Sequence, residues 1–480
     1  MTPLRSGRRV FGIVFGIVVA MIAGLARAVP TTALDDFIAA PDPTFSWSQV
    51  NTITGPGYEA DVLNMTSQTW RTPADVNRTD WQHYVTVIRP SVVTSHRALL
   101  WIDGGSNGGS TPNSVDPNLL ALAQSTQSVV IDLGQVPNEP LTFSGQGPRS
   151  EDALIAYTWQ QYINTGDETW PAQLPMTKAA VKAMDAVQAF AASAAGGAWS
   201  LDDFVVGGGS KRGWTTWLTA AADQRVAAII PAVADTLNVQ KVFENAYNGY
   251  GFWPPAIQDY VNAGITNDFG TPQLNSLMQI VDPYSYLDRL TMPKFMINSA
   301  GDQFFTPDSS QFYFNDLQGT KYLRYVPNTD HSLNGSDAAQ SMQAFYSAIL
   351  NNKPLPQFTW FVDAHGALHV HTDTAPSSVL LWQANDPTAR DFRFDTIGAA
   401  YTSTKLIDLG GGNYMADVGH PAQGWTAFFI ELTFPSGGLF PYKFTTDVHI
   451  VGVPEPGTVA LAALGGVMLA LVCGRSGRRR

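Results

Sequence analysis

From about residue 84 to residue 350, short β-type runs alternate with longer helix-type runs, and this alternation limits the fold more than any other feature of the chain. Tyr84–Arg89, Ala98–Ile102, Ser128–Leu133, Asp203–Val206, Val226–Ile230, Lys294–Asn298 and Tyr322–Val326 are rich in β-branched or aromatic residues. Several are apolar throughout, as expected of strands covered on both faces. One helix candidate opens at Ser150-Glu151-Asp152 and runs to about Asn164. A second is expected to begin at Thr177 as its cap, with Val181, Met184, Val187 and Phe190 at helical spacing. Strands separated by helices predict an α/β fold with a mostly parallel sheet and helices on both faces.

Two regions depart from the rhythm. Residues 236–290 hold Tyr247, Tyr250, Phe252, Trp253, Pro254 and Pro255 without a clean strand, and read as a cap inserted between two strands. Its aromatics either line a cleft or pack the insertion. After about residue 356, Phe358–Val362, Ala367–His371, Val379–Gln383, Phe392–Phe394, Ala427–Thr433 and Thr445–Val451 are closely spaced β-type runs. They predict a small all-β, sandwich-like domain over 356–452, joined to an α/β domain over 29–355 by a linker at 350–356.

The stretch VVGGGSKRGW, residues 205–214, carries the chemistry. Ser210 falls where a strand turns into a helix, the place at which an α/β-hydrolase holds its nucleophile. Gly208 and Gly209 before it and Gly213 after it relieve the crowding of so sharp a turn. The backbone N–H of Lys211, at the start of the helix, would be one oxyanion donor. The pattern departs from G-x-S-x-G, because Arg212 stands two residues after the serine and the glycine comes one later. A helix-cap serine or an anion-binding loop would look similar, but no Gly-Lys-Ser/Thr ends the stretch and it is not a P-loop.

A serine nucleophile needs a base and an acid that orients the base, in the chain order Ser, Asp or Glu, His for this fold. Asp302 follows the run Lys294–Asn298, and His331 follows Tyr322–Val326. Both therefore stand at carboxyl ends of expected strands, where open α/β sheets hold their sites. Asp235 is an alternative orienting acid, and Asp330 is adjacent to His331 in sequence only. A second oxyanion donor is expected from WIDGGSNGG, residues 101–109, at Gly104 or Gly105. The side chains of Lys211 and Arg212 would either meet an anionic substrate group or form ion pairs with a neighbouring helix. His369 and His371 share one face of an expected strand, a spacing that suits a metal, yet no third ligand stands near them. No cofactor or metal is expected.

Three segments carry a family resemblance. VVGGGSKRGWTTWLTAAADQRVAAIIP, KFMINSAGDQFFTPDSSQFY and KYLRYVPNTDHSL resemble the PhoPQ-activated pathogenicity-related proteins, an α/β-hydrolase-like family, and the likeness runs over most of residues 30–450. The resemblance implies Ser210, Asp302 and His331 as the triad positions and implies no substrate. The serine with its glycine and following base is also similar, over a few residues, to glucuronoyl esterases.

The ends read as addresses. Arg5, Arg8 and Arg9, an apolar stretch from Val10 to Ala26 and Ala26-Arg27-Ala28 form the three parts of a signal peptide over 1–28. Pro454-Glu455-Pro456, an apolar run from Val459 to Cys473 and four terminal arginines resemble a PEP-CTERM sorting signal over 453–480. That resemblance implies an exosortase as partner, transient membrane association and delivery to the surface or matrix of a Gram-negative bacterium. Without both ends the chain carries 20 basic and 39 acidic residues, a poor partner for nucleic acid. Cys473 is the only cysteine, so the body offers no disulfide and no thiol nucleophile. The expected activity is serine-dependent hydrolysis of an ester, small or linked to polysaccharide. A peptidase and a non-catalytic polysaccharide-binding protein are the alternatives.

Overall fold

The computed structural model describes residues 31–453, so the expected signal peptide and nearly all of the sorting tail lie outside the described residues. The strands are β1 (Ser46–Gly55), β2 (Tyr58–Thr69), β3 (Asp80–Pro90), β4 (Arg97–Ile102), β5 (Val130–Leu133), the short pair β6 (Leu141–Thr142) and β7 (Pro148–Arg149), β8 (Asp203–Gly209), β9 (Val226–Ala232), β10 (Lys294–Ser299) and β11 (Lys321–Val326). The helices among them are α1 (Ala33–Ala39), α2 (Pro117–Thr126), α3 (Glu151–Thr165), α4 (Gln173–Ala192), α5 (Lys211–Ala222), α6 (Val239–Tyr250), α7 (Gln258–Asn262), α8 (Pro272–Val281) and α9 (Ala338–Leu350).

One large sheet runs in the order β1-β2-β3-β5-β4-β8-β9-β10-β11 and continues beyond β11. From β5 to β11 every neighbouring pair is parallel, while β1, β2, β3 and β5 pair antiparallel. The parallel sheet expected from the alternation is therefore the centre of a mixed sheet. The successive residues Val205 and Val206 of β8 point into opposite cores. One core lies under α3, α4 and α5, the other under α2 and α9. Burial on both faces explains the unbroken apolar runs. With a serine elbow after β8 and sites at the strand ends, this is the α/β-hydrolase fold.

The insertion between β9 and β10 contains α6, α7, α8 and 3-10 turns, with no strand. Tyr247 packs on Trp253, and Tyr250 stacks on Phe252. Tyr247 and Trp253 thus pack within the insertion, while Tyr250 and Phe252 also meet Arg393 of the β-rich region.

After α9 come β12 (Phe358–Val362), β13 (Leu368–Thr372), β14 (Ser378–Asp386), the single turn α10 (Phe394–Ile397), β15 (Thr402–Lys405), β16 (Asn413–Ala416), β17 (Trp425–Phe434), β18 (Tyr442–Thr445) and β19 (His449–Gly452). They form two layers, as a sandwich does. β12, β13 and β16 make a separate three-stranded sheet, and its Leu368, Val370, Tyr414 and Ala416 share a core with Val379, Leu381, Phe428 and Ile430 of the other layer. That other layer hydrogen-bonds onto the central sheet through β18 against β11, giving 14 strands in all.

Three local expectations are corrected. α4 starts at Gln173, and Thr177 lies inside it with its hydroxyl donated to the Gln173 carbonyl at 2.7 Å. Pro175 is tolerated in that first turn because no intrahelical acceptor awaits its missing N–H. Residues 392–394 form no strand, since the Asp391 carboxylate accepts the Arg393 N–H at 3.2 Å and the Thr396 hydroxyl at 3.0 Å and holds a turn. The run Thr445–Val451 splits into β18 and β19, both antiparallel to β17. Among the described residues, no helix is long and apolar enough to cross a membrane.

Candidate active site

Ser210 joins β8 to α5 at φ 57° and ψ −124°, a backbone conformation that costs a residue with a Cβ about 1–3 kcal/mol. Its N–H is anchored to the Ala232 carbonyl of β9 at 2.9 Å. The neighbouring glycines divide by role. A Cβ on Gly208 would lie 2.8 Å from the Arg212 carbonyl oxygen, and one on Gly213 would lie 2.6 Å from the Ala234 Cβ. Both are needed for helix and strand to approach. Gly209 has open space around its Cβ position, so the crowding argument does not apply to it.

The loops after β10 and β11 bring the other two residues to Ser210. His331 Nε2 lies 2.9 Å from Ser210 Oγ, and His331 Nδ1 lies 2.9 and 2.8 Å from the two oxygens of Asp302. Asp302 is buried and accepts the Phe304 N–H at 2.8 Å, which fixes its carboxylate. The His331 side chain keeps 20% of its surface exposed, enough to meet a substrate. Phe304 covers the imidazole with ring centres 4.4 Å apart.

Asp235 does not meet His331. It is fully buried and accepts hydroxyls from Tyr313 and from Tyr325, the latter at 2.7 Å. Burial raises its carboxyl to about 7 in spite of the two donors. Asp330 folds back on its own turn, accepting the Ser332 N–H at 2.9 Å.

The side chains of Lys211 and Arg212 meet acids of α3. Lys211 Nζ lies 2.9 Å from both Glu151 and Asp152, and the Arg212 guanidinium binds Glu151 at 2.8 and 3.0 Å. Burial disfavours the Lys211 ammonium, but the two carboxylates outweigh it and its pKa is raised. Glu139 receives the Glu151 N–H at 2.6 Å; burial and the Glu151 charge raise its carboxyl. The two bases are thus neutralised within the protein. In the sequence Glu151 and Asp152 look like an ordinary acidic helix start, which hides their role as partners of Lys211.

The backbone amides fare differently. Lys211 N–H sits in the first turn of α5, where no intrahelical acceptor exists. Gly104 lies against Arg212, with a Cβ there meeting Nη2 at 2.7 Å, and its N–H donates to the Asp103 carboxylate at 2.7 Å. Gly105 adopts φ 127°, a backbone conformation that favours glycine.

A narrow pocket opens beside Ser210. Phe243, Ile257 and Tyr260 of the insertion and Trp214, Phe304 and Phe305 of the core give it apolar walls, with Lys211 and Asp152 as polar features. The cap does line the cleft, but with aromatics other than the four singled out by sequence. His369 and His371 lie far along the chain on β13, paired with Asp363 at 2.9 Å and Asn413 at 3.1 Å. Among the described residues, no cluster of three or more His, Cys, Asp or Glu side chains is arranged to hold a metal ion.

Comparison with known proteins agrees with the sequence resemblance. The acetyl xylan esterase 1 of Thermoanaerobacterium sp. JW/SL YS485 superposes with a TM-score of 0.45 at 16% identity, over 66% of this chain and 91% of that one. The acylaminoacyl peptidase of Pyrococcus horikoshii gives 0.39 at 12% identity, over 64% of this chain and 49% of that one. Autocrine proliferation repressor protein A of Dictyostelium discoideum is 36% identical over 468 residues, covering 91% of this chain and 93% of the relative. A description of the PhoPQ-activated pathogenicity-related proteins matches residues 34–393, across the elbow, the Asp302 loop and the His331 loop. A relative so alike over nearly its whole length, and a family match spanning every part of the candidate site, lead to one statement: the chain belongs to the PhoPQ-activated pathogenicity-related protein family.

Proposed function

We propose that this protein is an exported serine hydrolase that cleaves carboxylic esters through an acyl-enzyme. One observation carries the reading: the continuous hydrogen-bond chain from Ser210 Oγ through His331 to Asp302. In this mechanism His331 Nε2 takes the Ser210 proton as the hydroxyl attacks the acyl carbon. Asp302 holds the imidazole with Nδ1 protonated and stabilises the imidazolium that forms. The Lys211 and Gly105 amides receive the oxyanion. His331 then protonates the leaving alcohol, and water repeats the sequence on the acyl-enzyme. The small apolar pocket suits a short acyl group. The same three residues would serve a peptidase, and the bond cleaved is settled by substrate tests.

Export rests on the terminal segments, with an exosortase as the partner for the tail and the cell surface or matrix as destination. The Dictyostelium relative is named for repressing proliferation, and this favours a second reading, a signalling protein on a hydrolase scaffold. A fluorophosphonate probe separates the two. Labelling of the purified protein, absent in Ser210→Ala and His331→Ala, supports the hydrolase. Unlabelled, folded wild type favours the second reading.

A further inference from the structure

Residues 391–401, which connect β14 to β15 through α10, belong to the β-rich region yet touch both loops of the candidate site. The Phe394 N–H donates to the Gly301 carbonyl at 2.8 Å, one residue before Asp302. Asn328, three residues before His331, makes two bonds to a single residue of the segment. Its Nδ2 donates to the Tyr401 carbonyl and its Oδ1 accepts the Tyr401 N–H, each at 2.9 Å. Gln303 links the two loops directly, accepting the His331 N–H at 2.9 Å, while its own Nε2 donates to Asp395 at 3.2 Å.

The three segments meet at Gly301. A Cβ there would lie 2.5 Å from the Thr329 carbonyl oxygen and 3.0 Å from the Phe394 nitrogen. No methyl group fits between the acid loop, the base loop and the connecting segment. Asn328 itself holds φ 57°, a left-handed conformation that asparagine tolerates better than most residues. The same stretch of chain also grips the insertion. Arg393 lies over the rings of Tyr250 at 4.9 Å and Phe252 at 5.3 Å, and Arg390, just before the segment, is ion-paired with Asp308, six residues beyond Asp302.

We propose that residues 391–401 are a clamp, supplied by the β-rich region, that sets His331 against Asp302 and Ser210, with Asn328 and Gln303 as its positioning residues. The proposal rests on the hydrolase reading for its kinetic consequence but not for its geometry. Catalysis by a hydrogen-bonded triad is sensitive to errors of about 1 Å in placement, which cost on the order of a hundredfold in rate. A clamp holding Gly301 and Gln303 beside Asp302, and Asn328 before His331, reduces that freedom. It also gives the β-rich region a part in the chemistry without its touching substrate.

The test uses the full protein with three substitutions. Asn328→Gly preserves access to the left-handed backbone but removes both bonds to Tyr401. Gln303→Ala removes the link to the His331 N–H. Asp395→Ala lies on an exposed residue and leaves folding intact. Two readouts are taken: the fluorophosphonate labelling rate against pH, and the histidine ring protons by NMR, including the low-field Nδ1 proton that a His–Asp bond produces. The clamp predicts about a tenfold or greater loss of labelling rate in Asn328→Gly and Gln303→Ala, a smaller loss in Asp395→Ala, and a broadened or displaced low-field proton with a shifted His331 titration in each. Wild-type values in Asn328→Gly and Gln303→Ala for that proton and that titration would overturn it, whatever the thermal stability. If wild type itself is not labelled, the hydrolase reading fails, and the NMR comparison still decides the clamp.

Discussion

The Lys211 ammonium lies 2.9 Å from an Asp152 carboxylate oxygen, on the wall of the pocket that begins at Ser210. The two side chains are 9% and 14% exposed, so neither charge is well solvated without the other. Removing one partner of a fully buried pair costs about 3–5 kcal/mol. Glu151, the other acid on Lys211, is 45% exposed and remains reachable by water. Lys211→Met is therefore expected to cost less, about 2–3 kcal/mol, in urea unfolding. Adding Asp152→Asn should recover part of that loss, and a double variant no better than the single would refute the coupling.

Asp302→Asn tests the orienting acid. Asparagine can still accept the Phe304 N–H, but its amide favours the wrong imidazole tautomer. The labelling rate should fall by about three to four orders of magnitude while the thermal midpoint changes little. A rate within tenfold of wild type would show that Asp302 does not orient His331.

The elbow glycines should separate cleanly. Gly213→Ala forces a methyl to within 2.6 Å of the Ala234 Cβ and is expected to destabilise by about 1–3 kcal/mol. Gly209→Ala meets nothing within 4 Å and should stay within about 0.5 kcal/mol of wild type. Denaturant midpoints of the two variants provide the comparison.

Asp235 gives a pH dependence with a defined sign. Burial raises its carboxyl from 3.8 to about 7. The folded protein then holds a proton that the unfolded chain releases above about pH 4, so this group lowers stability as pH rises toward 7. The charged groups facing it, Asp302 and Asp308, act in the same direction. Asp235→Asn should remove that slope and gain about 2–4 kcal/mol relative to wild type between pH 5 and pH 8. Urea unfolding at the two pH values checks it, and parallel slopes would contradict it.

The sequence made the centre of the molecule readable because burial on both faces leaves apolar runs, unbroken within β4, β8, β9 and β10 and interrupted only by Asp132 in β5 and Arg324 in β11. Ser210, Asp302 and His331 were legible for a related reason: each follows such a run, and chain order did the rest. The long hairpin β1–β2 went unread because β1 is largely solvent-exposed and polar, without the apolar signal of an inner strand. What lay beyond local pattern was pairing at a distance. Nothing near Glu151 announces Lys211, 60 positions away, and nothing near Asn328 announces Tyr401. The β-type runs after residue 356 were visible one by one, but periodicity does not say which existing strand a new one will join.

That joining has a practical meaning for anyone who trims or expresses the chain. β18 occupies the hydrogen-bonding side of β11. A protein cut at the apparent linker near residue 355 would uncover one edge of the six-residue β11 and leave backbone N–H and C=O groups there open to other chains. Such fragments are expected to collect as aggregates rather than as smaller soluble hydrolases. The C-terminal strands thus close an edge that the parallel core, complete in sequence at Val326, leaves open until β18 is made.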